Sequence, residues 1–182
     1  KKKKNGLYLY GINMASNATL NQFTMSTAYD LSTATYTRNI ATGVNSGGRT
    51  GVSINNDGSK MYVTYNQSGT EYLKTYALST AYDISTAVNT NNNSIPVGSG
   101  GGGSNNYGGG FSWSADGTKA YFYPYNNWTG NSTVGHTSGS TDNRSGVMYQ
   151  YNVSTAFDWA GSSPSVNATI RVPHKGDNYG VG

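Results

Sequence analysis

Ten residues, LSTAYDISTA at Leu78–Ala87, recur almost unchanged as MSTAYDLSTA at Met25–Ala34 and more loosely as VSTAFDWAGS at Val153–Ser162. A second phrase travels with the first: GVSINNDGSKMYV (Gly51–Val63) is matched by GFSWSADGTKAYF (Gly110–Phe122). Self-similarity on this scale marks a repeat architecture, in which each unit buries its apolar face only against its neighbours. This restricts the fold more than any single residue does.

The spacing shows where the units vary. Asp57-Gly58 and Asp116-Gly117 lie 59 residues apart, and the STA[Y/F]D phrases start at 26, 79 and 154. The glycine-rich run Gly98–Gly110 and the polar stretch Asn126–Gly146 absorb the inequality, so a unit of about fifty residues is lengthened only in its loops. Each unit reads as four strands. Strand one is the Gly-x-Ser segment (Arg49–Asn55; Gly109–Ser114), and Asp-Gly turns tightly because both residues tolerate positive φ. Strand two alternates, as in Met61–Tyr65 and Ala120–Tyr123. Strand three runs into the repeated phrase (Tyr72–Thr80; Met148–Thr155), and strand four follows it (Thr86–Val97; Ser165–Val172).

Composition agrees. Charged residues are 11% of the chain, there are 25 glycines and 16 tyrosines, and the one glutamate is Glu71. Helix formers are scarce, so the chain is expected to be all-β. No apolar stretch reaches the length of a membrane-spanning helix, and no signal-peptide pattern opens the chain. The net charge of +4 resides in Lys1–Lys4, read as a solvated or non-native end. The other basic residues balance the eight acidic ones, which argues against a nucleic-acid partner. Without cysteine there is neither a disulfide scaffold nor a thiolate metal site. A low-charge, cysteine-free β protein suits an extracellular or virion surface.

Four antiparallel strands per unit is the arithmetic of a β-propeller blade. The run Phe111-Ser112, Asp116-Gly117-Thr118-Lys119 and Tyr121 resembles the blade signature of WD40-like and YVTN-type propellers. Joined to LSTAYDISTA, it is similar to repeats of propeller-like proteins of marine bacteria and their phages. The resemblance covers nearly the whole chain from Gly6 and implies an array of about three four-stranded blades. These are blade 1 at 6–48, lacking its first strand, blade 2 at 49–106, and blade 3 at 107–176 with a long loop at 126–146. Residues 1–5 form a basic end, and 177–182 start a further blade or a closing strand. Units cut out of phase are what strand-swapped closure requires, yet three blades are too few for a ring. A longer chain, a ring completed by a second copy, and an open stack all fit.

Fold does not supply function. Asp30, Asp83 and Asp158, one per unit, can line a metal or ligand site, or can accept N–H bonds in the turn each begins. Tyr29, Tyr82 and Phe157 beside them can anchor the corner in the seam between sheets. Recurrence once per unit favours the scaffold reading, as it does for Asp57, Gly58, Asp116 and Gly117. His136 and His174 have no Glu or Cys at ligand spacing, and no hydrolase, metalloprotease or phosphate-loop motif is present, so no catalytic residue, metal or cofactor is assigned. The glycine run lacks the strand-to-helix context of a phosphate loop and reads as a connection.

The large departure from the repeat is Tyr123–Gly146. Binding residues concentrate on scaffold-borne loops. Trp128 and Tyr125 can stack on a sugar ring, and Asn127, Asp142, Asn143 and Arg144 can bond its hydroxyls. Asn-x-Ser/Thr sequons occur eight times; roughly five or six would arise from the composition alone, and they bear on function only where secreted proteins are glycosylated. The expectation is a non-enzymatic, surface-displayed structural or adhesive propeller module of a phage tail fibre or decoration. Its partners would be other copies or blades and cell-surface glycans. The alternatives are a secreted adhesin or filament subunit and, third, a propeller glycosidase or lyase.

Overall fold

A computed structural model describes residues 6–13, 18–44, 50–68, 70–97, 107–125 and 146–172. The chain is all-β, and its described residues form three antiparallel sheets whose strands follow one another in chain order. The first sheet holds β1 (Tyr8–Asn13), β2 (Thr19–Met25) and β3 (Ala34–Ala41). The second holds β4 (Gly51–Ile54), β5 (Lys60–Gln67), β6 (Thr70–Leu78) and β7 (Ala87–Ser94). The third holds β8 (Tyr107–Trp113), β9 (Lys119–Tyr125), β10 (Gly146–Asn152) and β11 (Val166–Val172). Among the described residues β1 is paired on one side only, whereas β5 and β9 each carry a further strand.

A register shift falls at the same repeat position in all three sheets: between Gln22 and Phe23, Thr75 and Tyr76, and Gln150 and Tyr151. Such an irregularity bends a strand and raises its local twist.

The alternation expected of β5 is not what burial shows. Met61, Tyr62, Val63, Thr64 and Tyr65 are all buried. Sheets cover both faces of the second sheet, so polarity no longer has to alternate. Tyr62 and Leu73 belong to the apolar cluster shared with the third sheet, built around Phe111, Phe122, Tyr151 and Trp159. Met61, Val63 and Tyr65 belong to the cluster shared with Ala18 and Leu20 of the first.

Phenols fasten these seams. Tyr10 of the first sheet donates to the Tyr82 carbonyl at 2.6 Å, and its repeat equivalent Tyr62 donates to the Phe157 carbonyl at 2.8 Å. In the opposite direction Tyr76 donates to Thr42, and its equivalent Tyr151 to Pro96 at 2.8 Å. Burial pushes the pKa of all four hydroxyls far above the usual tyrosine value, so they remain protonated donors. Tyrosines thus fill the seams with ring area while the polar tips of these four reach main-chain carbonyls.

Candidate functional site

The two repeated phrases interlock at one corner of each sheet. Asp30 and Asp83 precede one-turn 3-10 segments, Leu31–Thr33 and Ile84–Thr86. Asp158 precedes a short helix, α1 (Trp159–Ser162). Each carboxylate accepts a main-chain N–H from its own turn: Ser32 at 3.0 Å, Ser85 at 2.9 Å and Gly161 at 3.1 Å. The residue before each aspartate takes positive φ, 64° at Tyr29, 65° at Tyr82 and 57° at Phe157. These aromatic N–H groups donate to the carbonyls of Gly6, Gly58 and Gly117, at 2.9, 2.9 and 3.0 Å. Their rings lie on the same glycines, leaving no room for a side chain there.

The Asp-Gly turns differ from the expectation in one respect. Gly58 and Gly117 have φ of 77° and 73°, but Asp57 and Asp116 do not enter the left-handed region. Gly58 N–H donates to Asn55 and Gly117 N–H to Ser114, so each turn begins two residues before its aspartate. The aspartates act through their carboxylates. Asp57 accepts from the Ser59 N–H and hydroxyl at 2.9 and 2.6 Å, and Asp116 from the Thr118 N–H and Ser114 hydroxyl at 3.1 and 2.6 Å. These bonds, the serine hydroxyls first, hold the Asp57 carboxyl below its ordinary value and bring Asp116 down to about 2. Burial pushes Asp83 up, but its bonds from Ser85 and the nearby Arg38 guanidinium outweigh that and leave it lowered.

Tyr82 and Phe157 sit at the seams, whereas Tyr29 rests on Gly6 and is 75% exposed. Tyr29 forms part of an open groove of about 450 Å³ between β1 and β4, whose walls include Tyr8, Tyr10, Val52, Ile54 and Tyr82. Tyr8 and Tyr82 stack there, with centroids 5.4 Å apart and planes 10° from parallel. Leu9 and Leu31 bring exposed apolar surface to the rim. Flat aromatic faces along an open groove suit a flat or ring-shaped ligand. Nothing in the motif pattern marked this groove, because it joins residues from two units.

Glu71 is a second feature outside the motifs. It is fully buried on the face of β6 that meets the third sheet. One carboxyl oxygen accepts from Asn66 Nδ2 at 3.1 Å, and the other has no hydrogen-bond partner. Burial raises its pKa to about 7 against the smaller pull of Asn66.

Of the residues expected to bind glycan, Asn127, Trp128, Asp142, Asn143 and Arg144 lie outside the described residues, as do His136 and His174. Tyr125 ends β9 opposite Tyr107. The five turn aspartates occupy separate turns; among the described residues no three His, Cys, Asp or Glu side chains gather as metal ligands. No helix there is long and apolar enough to cross a membrane. No protein-family model, curated protein or solved structure matches the chain.

Proposed function

We propose that this chain is a non-enzymatic β-propeller-type module displayed on a surface, a structural and adhesive part of a phage virion appendage such as a tail fibre or decoration. The observation that carries the reading is the use made of the repeated carboxylates. Asp30, Asp57, Asp83, Asp116 and Asp158 each accept a main-chain hydrogen bond inside their own turn. The repeats therefore build a scaffold, and recognition falls to what the scaffold carries. The similarity of the LSTAYDISTA units to propeller-like proteins of marine bacteria and phages supports the setting.

Glycans are the ligand class this reading favours, through Trp128 and Tyr125 with Asn127, Asp142, Asn143 and Arg144. The stacked Tyr8–Tyr82 pair supports the same chemistry at a second place. A secreted adhesin or filament subunit uses the same scaffold and binding logic in another setting. On a glycan array the protein is expected to retain a defined set of sugars, and Trp128→Ala to lose them. Turnover of a polysaccharide that disappears on changing Asp142 or His136 would overturn the non-enzymatic reading in favour of a glycosidase or lyase. The mass of the native particle identifies the assembly.

A further inference from the structure

The two seams place different residues at the same repeat positions. At the first, Gln22 and Arg38 face each other across β2 and β3. Gln22 Oε1 accepts from the buried Ile84 N–H at 3.1 Å. Arg38 Nη1 donates to the two carboxylate oxygens of Asp83, at 2.9 and 3.2 Å, and to the Ser85 hydroxyl. A guanidinium from one sheet thus fills a socket made by the next sheet's corner.

At the second seam Thr75 and Asn91 face each other in the equivalent register of β6 and β7. Thr75 stands where Gln22 does, Asn91 where Arg38 does, and Ala160 where Ser85 does. All three side chains are shorter. What remains is a pocket of about 270 Å³, whose walls include Lys60, Thr75, Ala77, Asn91, Asp158 and Ala160. Asp158 keeps the carboxylate of the socket and its turn bond from Gly161. Among the described residues the one ion pair is Arg38–Asp83, so Asp158 has no cation within pairing distance. Lys60 Nζ is instead bonded to the Phe157 carbonyl at 3.2 Å.

We propose that this pocket binds a guanidinium group, as carried by an arginine side chain, with Asp158 in the part that Asp83 plays at the first seam. A guanidinium carries several N–H donors in one plane, so it can meet the carboxylate and a neighbouring acceptor together, as Arg38 Nη1 meets both Asp83 oxygens and the Ser85 hydroxyl. The Asn91 amide oxygen offers a further acceptor, and Ala77 and Ala160 leave room for an aliphatic stem. The like charge of Lys60 and the open mouth of the pocket limit the strength, so free methylguanidinium binds with a dissociation constant on the order of 10 mM. The site is independent of the glycan reading and uses none of its residues.

The test is a titration of isotopically labelled full-length protein with methylguanidinium chloride, followed by amide NMR at constant ionic strength, with methylammonium chloride as control. Saturable shifts are expected at the Asp158 and Ala160 N–H groups and the Asn91 side chain, with methylammonium about fivefold weaker. Asp158→Asn retains the oxygen that accepts from Gly161, so the turn survives while the response is lost. Asn91→Arg supplies the guanidinium from within the chain. It is expected to abolish the shifts and raise the melting temperature by about 2–4 °C. Absence of saturable shifts at these positions, an equal response to methylammonium, or binding that persists in Asp158→Asn overturns the proposal.

Discussion

The ring of Tyr82 lies directly on Gly58: a Cβ at that glycine would stand 2.5 Å from a ring carbon, while Tyr82 N–H donates to the Gly58 carbonyl at 2.9 Å. Both residues hold positive φ, which glycine adopts freely and Tyr82 does not, so the corner holds Tyr82 in a strained backbone to make one close contact.

Gly58→Ala and Gly117→Ala are each expected to destabilise the protein by about 2–4 kcal/mol, combining left-handed backbone strain with displacement of the ring above. Gly11→Ala, where a Cβ meets nothing within 4 Å, is expected to be neutral or slightly stabilising. Urea denaturation of the three variants checks the contrast. Equal losses at all three would sink the interlocked-corner account.

Removal of a seam phenol separates two cases. Tyr10→Phe leaves the Tyr82 carbonyl without that donor and is expected to cost about 1–2 kcal/mol. Tyr62→Phe is expected to cost less, about 0.5–1 kcal/mol, because Lys60 Nζ also donates to the Phe157 carbonyl. Thermal unfolding of the pair reads the difference, and Tyr62→Phe combined with Lys60→Met should restore the larger cost.

Polar bonds at the first seam should rank by burial rather than by charge. Gln22→Ala strands the buried Ile84 N–H and is expected to cost about 1–3 kcal/mol. Arg38→Ala breaks a half-exposed ion pair and is expected to cost about 0.5–1 kcal/mol, less at high salt. Denaturation at low and high ionic strength gives both values.

Stability should also fall on the alkaline side of pH 5. The folded protein holds the Glu71 proton up to about 7, whereas an unfolded chain releases it near the ordinary value of 4.5. The native state therefore binds more protons in that window. Its unfolding free energy declines through it by about 2–3 kcal/mol. The lowered Asp57, Asp83 and Asp116 carboxyls act in the reverse sense, losing their contribution as pH drops below the ordinary aspartate range. Glu71→Gln is expected to flatten the alkaline limb and leave the acid one. A pH series of melting curves for both proteins decides it.

Legibility in the sequence tracked locality. The repeated phrases located the turns, and with them the sheets, because a turn is specified by a few adjacent residues such as Asn55–Gly58. Local propensity allows positive φ at Asp57 and Asp116 as well as at the glycines, and the aspartates do not use it. The structure places it at Tyr29, Tyr82 and Phe157, where a ring landing on a distant glycine compensates for the strain. The continuous burial of Met61–Tyr65 was hidden for a related reason: whether a strand has one covered face or two depends on neighbouring sheets. Glu71 carries no motif at all. The Tyr8–Tyr82 groove and the Asp158 pocket each join side chains from two units, so no window within one unit contains them.

The second sheet carries both the donor and the acceptor halves of the phenol joints to its neighbours. It offers Tyr62 forward and receives Tyr10 at the Tyr82 carbonyl; it offers Tyr76 backward and receives Tyr151 at the Pro96 carbonyl. A gene segment encoding such a sheet is thus self-sufficient in its connections. An in-frame duplication brings donor and acceptor together in one event, and no compensating change is required in the units on either side. Lengthening by copying is then an evolutionary step open to this chain without further change, while single copies can differ, as at Asn91 and Ala160, with the phenol bonds kept.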